Sequence, residues 1–462
     1  MARTCGPVEK ALFLCGVGVI YGVMQTRRER LGYEMTLLPP LEQLIPEDYH
    51  LRRLDRVLDL RFIHEAVRDR YCQDNGRPSV DPEVIVRLFV LQAVEGIGHV
   101  RELMRQVQVN LAYRWFIGYR LDEPLPDHST LSRALDRLGD EVFNELFERS
   151  IGQCRKSGLI EGRVLHVDAT TIRADLDENR VGKPGSPDPD ARFGRFPDNK
   201  IKPGYKQHTI ADGRARVVLG VSVTAADCSE HDEAIPIIDG VLPRLEKPPE
   251  VVCGDGAYAS GRNYVELAER GIRLVSPPPK AKTYTGDNYF TVEDFEYDEA
   301  NDMFVCPAGK RLKYVSTEKE RGRRNYRAWR SDCRACPLKL TCTKAERRSV
   351  KVSPHHGGLV KLRADSRTES FKKIYTSRAP VIEGVFGEAK QWHGLRRAWR
   401  RGLSKMRVQC LLIASVINLK RLMAFILLFW SRYVAIFRPR RRHRDYLRRF
   451  PDLKYPKYQY VP

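Results

Sequence analysis

The sequence predicts an α/β fold: a sheet-forming segment preceded by an all-helical one and interrupted by a β-rich insertion. Three observations predict it. From about residue 45 to 159, apolar residues recur at three- and four-residue spacing, the period of a helix face. From about 160 to 276, short apolar runs of strand length alternate with helical segments. Roughly a hundred residues from Pro277 to about Thr376 then break that order and carry a cysteine group.

The helical segment is legible from its punctuation. In SVDPEVIVRLFVLQAV, Ser79 reads as the cap and Pro82 as a first-turn residue, followed by apolar residues at helical spacing. Gly96 and Gly98 separate this run from HVRELMRQVQV. LPDHSTLSRALDRLG restarts a helix with Asp127 or Ser129 as cap and Gly139 as stop. Several short helices, one of them basic, suggest a helix-turn-helix-like DNA-binding module over 45–159. Arg133 and Arg137 lie four apart on one face, as candidates to contact DNA.

The second segment sets the fold. RVLHVDAT reads as a strand, and the proline- and charge-rich stretch Asp175–Pro203 as a loop. GYKQHTIAD and RVVLGVSVTAA read as strands joined through Asp212-Gly213, a turn dipeptide. HDEAIPIIDGVLPRL reads as a helix and EVVCGDGAY as a strand. SGRNYVELAERG reads as a helix capped by Ser260 and stopped by Gly271, and IRLVSP as a fifth strand. Three strands, helix, strand, helix, strand is the order of an RNase H-like fold. Its first and fourth strands are central neighbours, which places Asp168 beside Asp255.

Both acids end apolar runs, where packing explains a carboxylate poorly: Asp is a weak strand former and is rarely buried unpaired. A third candidate, Glu383, lies on an amphipathic helix running from about Arg378 towards Gln391, with Val381, Ile382, Val385 and Phe386 as its buried face. Glu388 and Glu369 compete with it. Glu383 is preferred because Lys390 follows seven residues on, nearly two turns later and on the same face. Three such carboxylates can hold two Mg²⁺ (or Mn²⁺) ions, which clamp the attacking and leaving oxygens of a phosphodiester displacement. Tyr375 and Arg378 precede Glu383 and can add phosphate contacts. Asp232 reads first as a helix cap, and His166 and His208 as core histidines.

Charge agrees with a polyanionic partner. The 462 residues carry a net +21, and +17 of it falls in Lys390–Pro462, where nineteen Lys or Arg face only Asp445 and Asp452. Arg396, Arg397, Arg400 and Arg401 in HGLRRAWRRGLSKMR form a basic patch, and RPRRRHRDYLRR a basic tail. Two apolar stretches, Ala11–Val23 and Met423–Phe437, are short for a bilayer, so no membrane role is expected. The run VQCLLIASVINLKRLMAFILL should pack on the sheet. Met24 and Met35 offer later starts than Met1.

With HVDATTIRAD and VVCGDGAY upstream, the residues YTSR…IEGVFGEAKQWHGLRRAWRRGL resemble the DDE transposases of bacterial insertion sequences. The likeness covers roughly Pro82 to Leu422 and implies an RNase H-like domain that cleaves and joins DNA. It implies Asp168, Asp255 and Glu383 as the metal-holding acids, and carries a Tyr-Arg-Glu-Lys signature onto Tyr375, Arg378, Glu383 and Lys390. The Arg-to-Glu gap is one residue longer here than in that signature. Cys306, Cys333, Cys336 and Cys342 resemble the insert of one subgroup; a structural Zn²⁺, metal-free thiols or a disulfide pair would each account for them.

The resulting expectation is an insertion-sequence transposase in the cytoplasm, acting on double-stranded DNA (terminal inverted repeats and target) as a homodimer. A nuclease without joining activity and an inactive DNA-binding regulator are the alternatives. Its organisation is a leader over 1–44, the helical domain over 45–159, the catalytic domain over 160–280 and 366–430, the insertion over 281–365 and the basic tail over 431–462.

Overall fold

A computed structural model describes residues 39–71, 79–280, 289–320 and 322–437. The leader before residue 39 and the basic run Arg438–Arg449 lie outside them. The chain divides into two compact units, 1–146 and 147–462.

In the first unit every described helix or strand is helical: α1 (Leu41–Leu44), α2 (His50–Val57), α3 (Ile63–Ala66), α4 (Pro82–Val94), α5 (Val100–Val109), α6 (Leu111–Ile117), α7 (His128–Leu138) and the start of α8 (Glu141–Lys156). The central helix is α4, apolar and buried almost all round, as a core helix should be. Its cap is Asp81, not the expected Ser79: the Asp81 carboxylate accepts from the Glu83 N–H at 2.8 Å. Pro82, which lacks an N–H and has a helical φ, takes the first helical position, so the cap falls on the residue before it. Asp127 caps α7 through the Ser129 N–H at 2.8 Å, and Gly139 ends it at φ +68°.

The second unit is built on a six-stranded sheet: β1 (Val164–Arg173), β2 (Arg192–Arg195), β3 (Ile201–Asp212), β4 (Val218–Ala225), β5 (Val251–Cys253) and β6 (Arg273–Val275). Its path runs β2-β3-β1-β5-β6, with β4 also paired to β3. β1 and β3 are antiparallel, whereas β1, β5 and β6 run parallel. The parallel strands are joined through α9 (Glu230–Val241) and α10 (Gly261–Glu269). Ser260 caps α10 through the Asn263 N–H at 3.0 Å.

One boundary differs from expectation with consequence. Asp168 does not end β1, which continues through Thr170, Thr171 and Ile172 to Arg173. These β-branched residues favour the strand, and the twelve-residue β3 pairs with them as far as Arg173 opposite Gly204.

After β6, α11 (Arg330–Arg334) and α12 (Lys339–Cys342) join a separate antiparallel sheet: β7 (Glu296–Asp298), β8 (Met303–Val305), β9 (Arg311–Thr317), β10 (Arg324–Arg327) and β11 (Ser349–Val352). It has its own core around Phe295, Phe304, Leu312, Tyr326, Val350 and Val352. The chain then returns through α13 (His356–Ser366), α14 (Glu369–Thr376) and α15 (Gly384–Trp392) to α16 (Leu403–Phe437).

By length and composition α16 could cross a membrane, yet Val408–Leu419 is buried. Asn418, fully buried, ties it to the sheet: its amide accepts from the Val218 N–H at 2.7 Å and donates to the Val218 carbonyl at 2.9 Å. Each such bond stabilises by about 1 kcal/mol net, and losing Asn418 would leave Val218's groups unsatisfied in the core.

Candidate active site

The register of two strands places the first two acids. His166 of β1 lies opposite Cys253 of β5, the last pair before β5 stops. Two residues further along come Asp168, still within β1, and Asp255, just past the end of β5, with carboxylate oxygens within 4.8 Å of each other beside the crevice that open α/β sheets leave where a parallel strand ends. β1 outruns β5 along this edge and gains a neighbour there again only at Arg173. Arg173 donates its N–H to the Arg396 carbonyl at 3.2 Å and accepts from the Ala398 N–H at 2.8 Å. The basic patch is thereby fixed to the far end of the strand that carries Asp168. Arg396, Arg397 and Arg401 are exposed, and Arg400 is half-buried.

The third element arrives from α14 and α15. Between them, Ala379–Glu383 form one turn of π-helix. A π-turn absorbs one residue more than an α-turn, so the extra residue between Arg378 and Glu383 is accommodated without rotating the rest of the helix. Arg378, 9% exposed, donates from Nη2 to Asp168 Oδ2 at 2.6 Å. The sequence left Arg378 with the least regular spacing; the fold gives it the most direct contact with an acid.

Glu383 is exposed on this turn. Lys390, half-buried on α15, has its pKa lowered by burial and by Arg396, while Asp168 acts on it in the opposite sense. Tyr375 is half-buried and stacks on Phe371 at 6.3 Å between ring centroids. The competitor Glu388 is committed elsewhere: it pairs with Lys420 at 2.5 Å and with Arg421, tying α15 to α16. Burial would raise its pKa, but His393, Arg421 and Lys420 hold it well below the usual carboxylate range. Glu369 is exposed and pairs with Lys372.

One acid was missed by the sequence reading. Glu230, the first residue of α9, brings a carboxylate oxygen to Asp168 and Asp255, and these three ligand atoms all lie within 4.8 Å of one another. The available signal was the acidic first turn Glu230, Asp232, Glu233 after a strand. Asp232 is not the cap; Ser229 takes that position, and Asp232 is exposed and pairs with His231 at 2.9 Å. Three carboxylate oxygens this close form a hard donor set suited to Mg²⁺ or Mn²⁺.

Burial, against the opposing charge of Arg378 and the Ala169 N–H, pushes the Asp168 carboxyl up to about 7. His166 and His208 are core residues whose pKa values burial lowers to about 4. His208 meets the Thr224 hydroxyl at 3.0 Å.

In the insertion, the Cys306 Sγ accepts from the Lys310 N–H at 3.3 Å and the Cys333 Sγ from the Arg348 N–H at 3.5 Å. Burial raises the pKa of the Cys342 thiol; Arg348 lowers it, and the neighbouring Cys333, Cys306 and Cys336 raise it again. All four are free cysteines rather than a disulfide pair, and among the described residues they do not form a group whose ligand atoms lie within 4.8 Å of one another.

In the helical unit, Arg133 and Arg137 are exposed on α7. Arg133 reaches Ser129 Oγ at 3.3 Å, and Arg137 lies over the Tyr71 ring at 5.0 Å. Neither lines the cleft of about 570 Å³ in this unit, whose walls include Arg101, Arg105, Gln108, Arg114 and His128.

Two family profiles match the chain. One, described as a transposase domain, spans residues 39–137. The other, described as a transposase DDE domain, spans 305–423 and so includes the cysteine group, Arg378, Glu383 and Lys390 but neither Asp168 nor Asp255. No curated protein matches. Among solved structures, the piggyBac transposase synaptic complex with hairpin DNA aligns at 12% identity and TM-score 0.35, covering 87% of this chain and 84% of that one. The Mos1 transposase paired-end complex with left transposon end aligns at 12% identity and TM-score 0.17, covering 44% and 61%. These scores are too low to carry weight, and the family rests on the two profiles.

Proposed function

We propose how this chain, which belongs to the DDE transposases, assigns its residues to the cutting and joining of DNA. The observation that carries the reading is the meeting of Asp168, in β1, with Asp255, just past the end of the adjacent parallel strand β5, with Arg378 on Asp168. On this reading the catalytic part is RNase H-like, with the antiparallel insertion between its last strand and the Glu383 helix.

Bound Mg²⁺ or Mn²⁺ would activate the attacking oxygen and stabilise the leaving one, and the carboxylates of Asp168, Asp255 and Glu383 would hold two such ions. Arg378 orients Asp168 and offsets its charge. Lys390 on α15 and Tyr375 on α14 would meet the phosphates beside the scissile bond. Arg396, Arg397, Arg400 and Arg401 would carry the backbone that leaves the site, because their segment is hydrogen-bonded to the end of β1. Water as nucleophile gives cleavage. A freed 3′-OH in the same position gives joining, with no covalent enzyme intermediate.

The partner is double-stranded DNA, both element ends and target, bound by a homodimer in the cytoplasm. The helical unit would read the ends, through Arg133 and Arg137 or through the basic cleft beside α7. Cys306, Cys333, Cys336 and Cys342 would bind one structural zinc.

Incubating the protein with end DNA, target DNA and Mg²⁺ should yield joined products. Asp168→Ala, Asp255→Ala and Glu383→Ala should each abolish cleavage while retaining binding to end DNA. Ca²⁺ should support binding without cleavage, because its larger coordination sphere misplaces the reacting oxygens. A single Ala variant that cuts at near wild-type rate would remove that residue from the set; cleavage without joining would reduce the enzyme to a nuclease.

A further inference from the structure

The three acids that meet within 4.8 Å are not the three that the family signature supplies: Glu230 stands with Asp168 and Asp255, and Glu383 lies outside the group. A cluster of acids alone proves little, but this one has a floor. Tyr258 is fully buried, and its hydroxyl has no hydrogen-bond partner. A phenol sealed from water ordinarily finds a partner, because leaving the O–H unsatisfied costs about 1 to 3 kcal/mol.

The hydroxyl sits in the field of all three acids. Burial first, then Glu230, Asp168 and Asp255, raise its pKa well above the ordinary value. The local chain is shaped to put the ring there. The Tyr258 N–H donates to the Asp255 carbonyl at 3.1 Å, and a Cβ on Gly254 would come within 3.0 Å of the ring. A side chain at 254 would therefore crowd the Tyr258 ring.

Charge points the same way. Asp168 is met by Arg378 at 2.6 Å and Glu230 by Lys206 at 3.2 Å. Lys390 also lies in the field of Asp168, but among the described residues no side-chain cation pairs with Asp255. Lys206 is itself anchored by donating to the Cys228 carbonyl at 2.8 Å, so it can hold Glu230 in place near the pair without entering the cluster.

We propose that Asp168, Glu230 and Asp255, above the hydroxyl of Tyr258, bind one divalent cation before DNA arrives. Glu230 supplies the third carboxylate, and Tyr258 donates its hydroxyl to an oxygen in the cation's shell. The inference rests on Asp168 and Asp255 being metal ligands, as proposed above. It adds that the protein is charged with its first ion by Glu230, and that Glu383 is needed only once DNA brings the second. Glu230 is then a ligand of the resting enzyme and Tyr258 a positioning residue.

The test is Mn²⁺ titration of the full chain without DNA, with free Mn²⁺ read by electron paramagnetic resonance. Folding of each variant is checked by a thermal melt in EDTA. Wild type should bind one Mn²⁺. Asp168→Asn, Asp255→Asn and Glu230→Gln should each weaken binding at least tenfold, while Glu383→Gln stays within about twofold. Tyr258→Phe, which keeps the ring, should weaken it by about tenfold, as loss of an outer-shell partner does. If Glu230→Gln melts early, Glu230→Asp, which keeps the charge and shortens the reach, should show the same weakening.

Wild type that takes no Mn²⁺ without DNA would overturn the inference, as would Glu230→Gln binding normally while Glu383→Gln does not. Either outcome leaves the assignment of Asp168 and Asp255 standing. If instead Asp168→Asn and Asp255→Asn bind like wild type, the assignment beneath the inference fails as well. Normal binding by Tyr258→Phe would remove the hydroxyl from the site.

Discussion

Asp168→Asn should stabilise the metal-free protein at alkaline pH. In the fold the Asp168 carboxyl is pushed up to about 7, against an ordinary value of 3.8, chiefly by burial. A folded-state pKa above the unfolded one means that the native state holds a proton which the unfolded chain releases. Its contribution is fully favourable below about 3.8 and is lost as pH rises through 7. Above 7 the ionised carboxylate costs the fold about 4 kcal/mol, from roughly three pK units at 1.36 kcal/mol each. Asparagine copies the neutral carboxyl in size and can still accept from Arg378, so it avoids that cost.

For the unit spanning 147–462, an unfolding entropy of about 2.1 cal/mol/K per residue turns about 4 kcal/mol into a rise of roughly 6 °C. The assay is thermal unfolding in EDTA at pH 8.5, 7 and 5. The gain should be largest at 8.5 and less than half as large at 5. Mn²⁺ at pH 8.5 should recover much of the difference for wild type and little for the variant, since binding only the native state stabilises it. A variant that melts lower than wild type at pH 8.5, or a difference independent of pH, would refute the reasoning.

Three further outcomes follow from the same geometry. Purified protein should carry about one zinc per chain by elemental analysis, lost when any of Cys306, Cys333, Cys336 or Cys342 is replaced by Ser; background zinc with four reactive thiols would leave them ordinary cysteines. Glu388→Ala should destabilise by about 3 to 5 kcal/mol by denaturant midpoint, because it strands Lys420, Arg421 and His393 at a largely buried contact; a loss below about 1 kcal/mol would make the contact no stronger than a surface pair. Truncation after Phe437 removes seven arginines between Arg438 and Arg449 and should flatten the salt dependence of DNA binding by about 0.9 per lost phosphate contact, without changing which ends are preferred; lost end preference with an unchanged slope would make that segment the reader.

What the sequence made legible was whatever depends on local period and punctuation. The order of strands and helices around the sheet apart from β2, the caps at Asp127 and Ser260 and the closeness of Asp168 and Asp255 follow from apolar spacing and turn residues. β2 lies in the proline- and charge-rich stretch read as a loop, which enters the sheet only because β3 pairs with it. The extent of β1 did not, because it depends on a partner: β3 is long enough to carry Thr170–Arg173 into the sheet, and no window around Asp168 reports the length of β3. Glu230 was hidden for the same reason. In sequence it is one of three acids opening a helix, and only the packing of α9 beside β3 and β4 turns that one, rather than Asp232, towards Asp168.

The unequal lengths of β1 and β5 connect these observations. Beyond Cys253, β1 has no strand partner on that edge until the bridge at Arg173. Because β5 stops at Cys253, the chain turns at once into the segment that carries Asp255 and Tyr258, and the uncovered edge of β1 can receive Arg378. The same arrangement imposes the cost, since Asp168, met by Arg378 and the Ala169 N–H, sits in a site that burial makes hostile to its charge. The instability of the metal-free site and its fitness for a divalent cation therefore have one cause, and Asp168→Asn should relieve the first as it destroys the second.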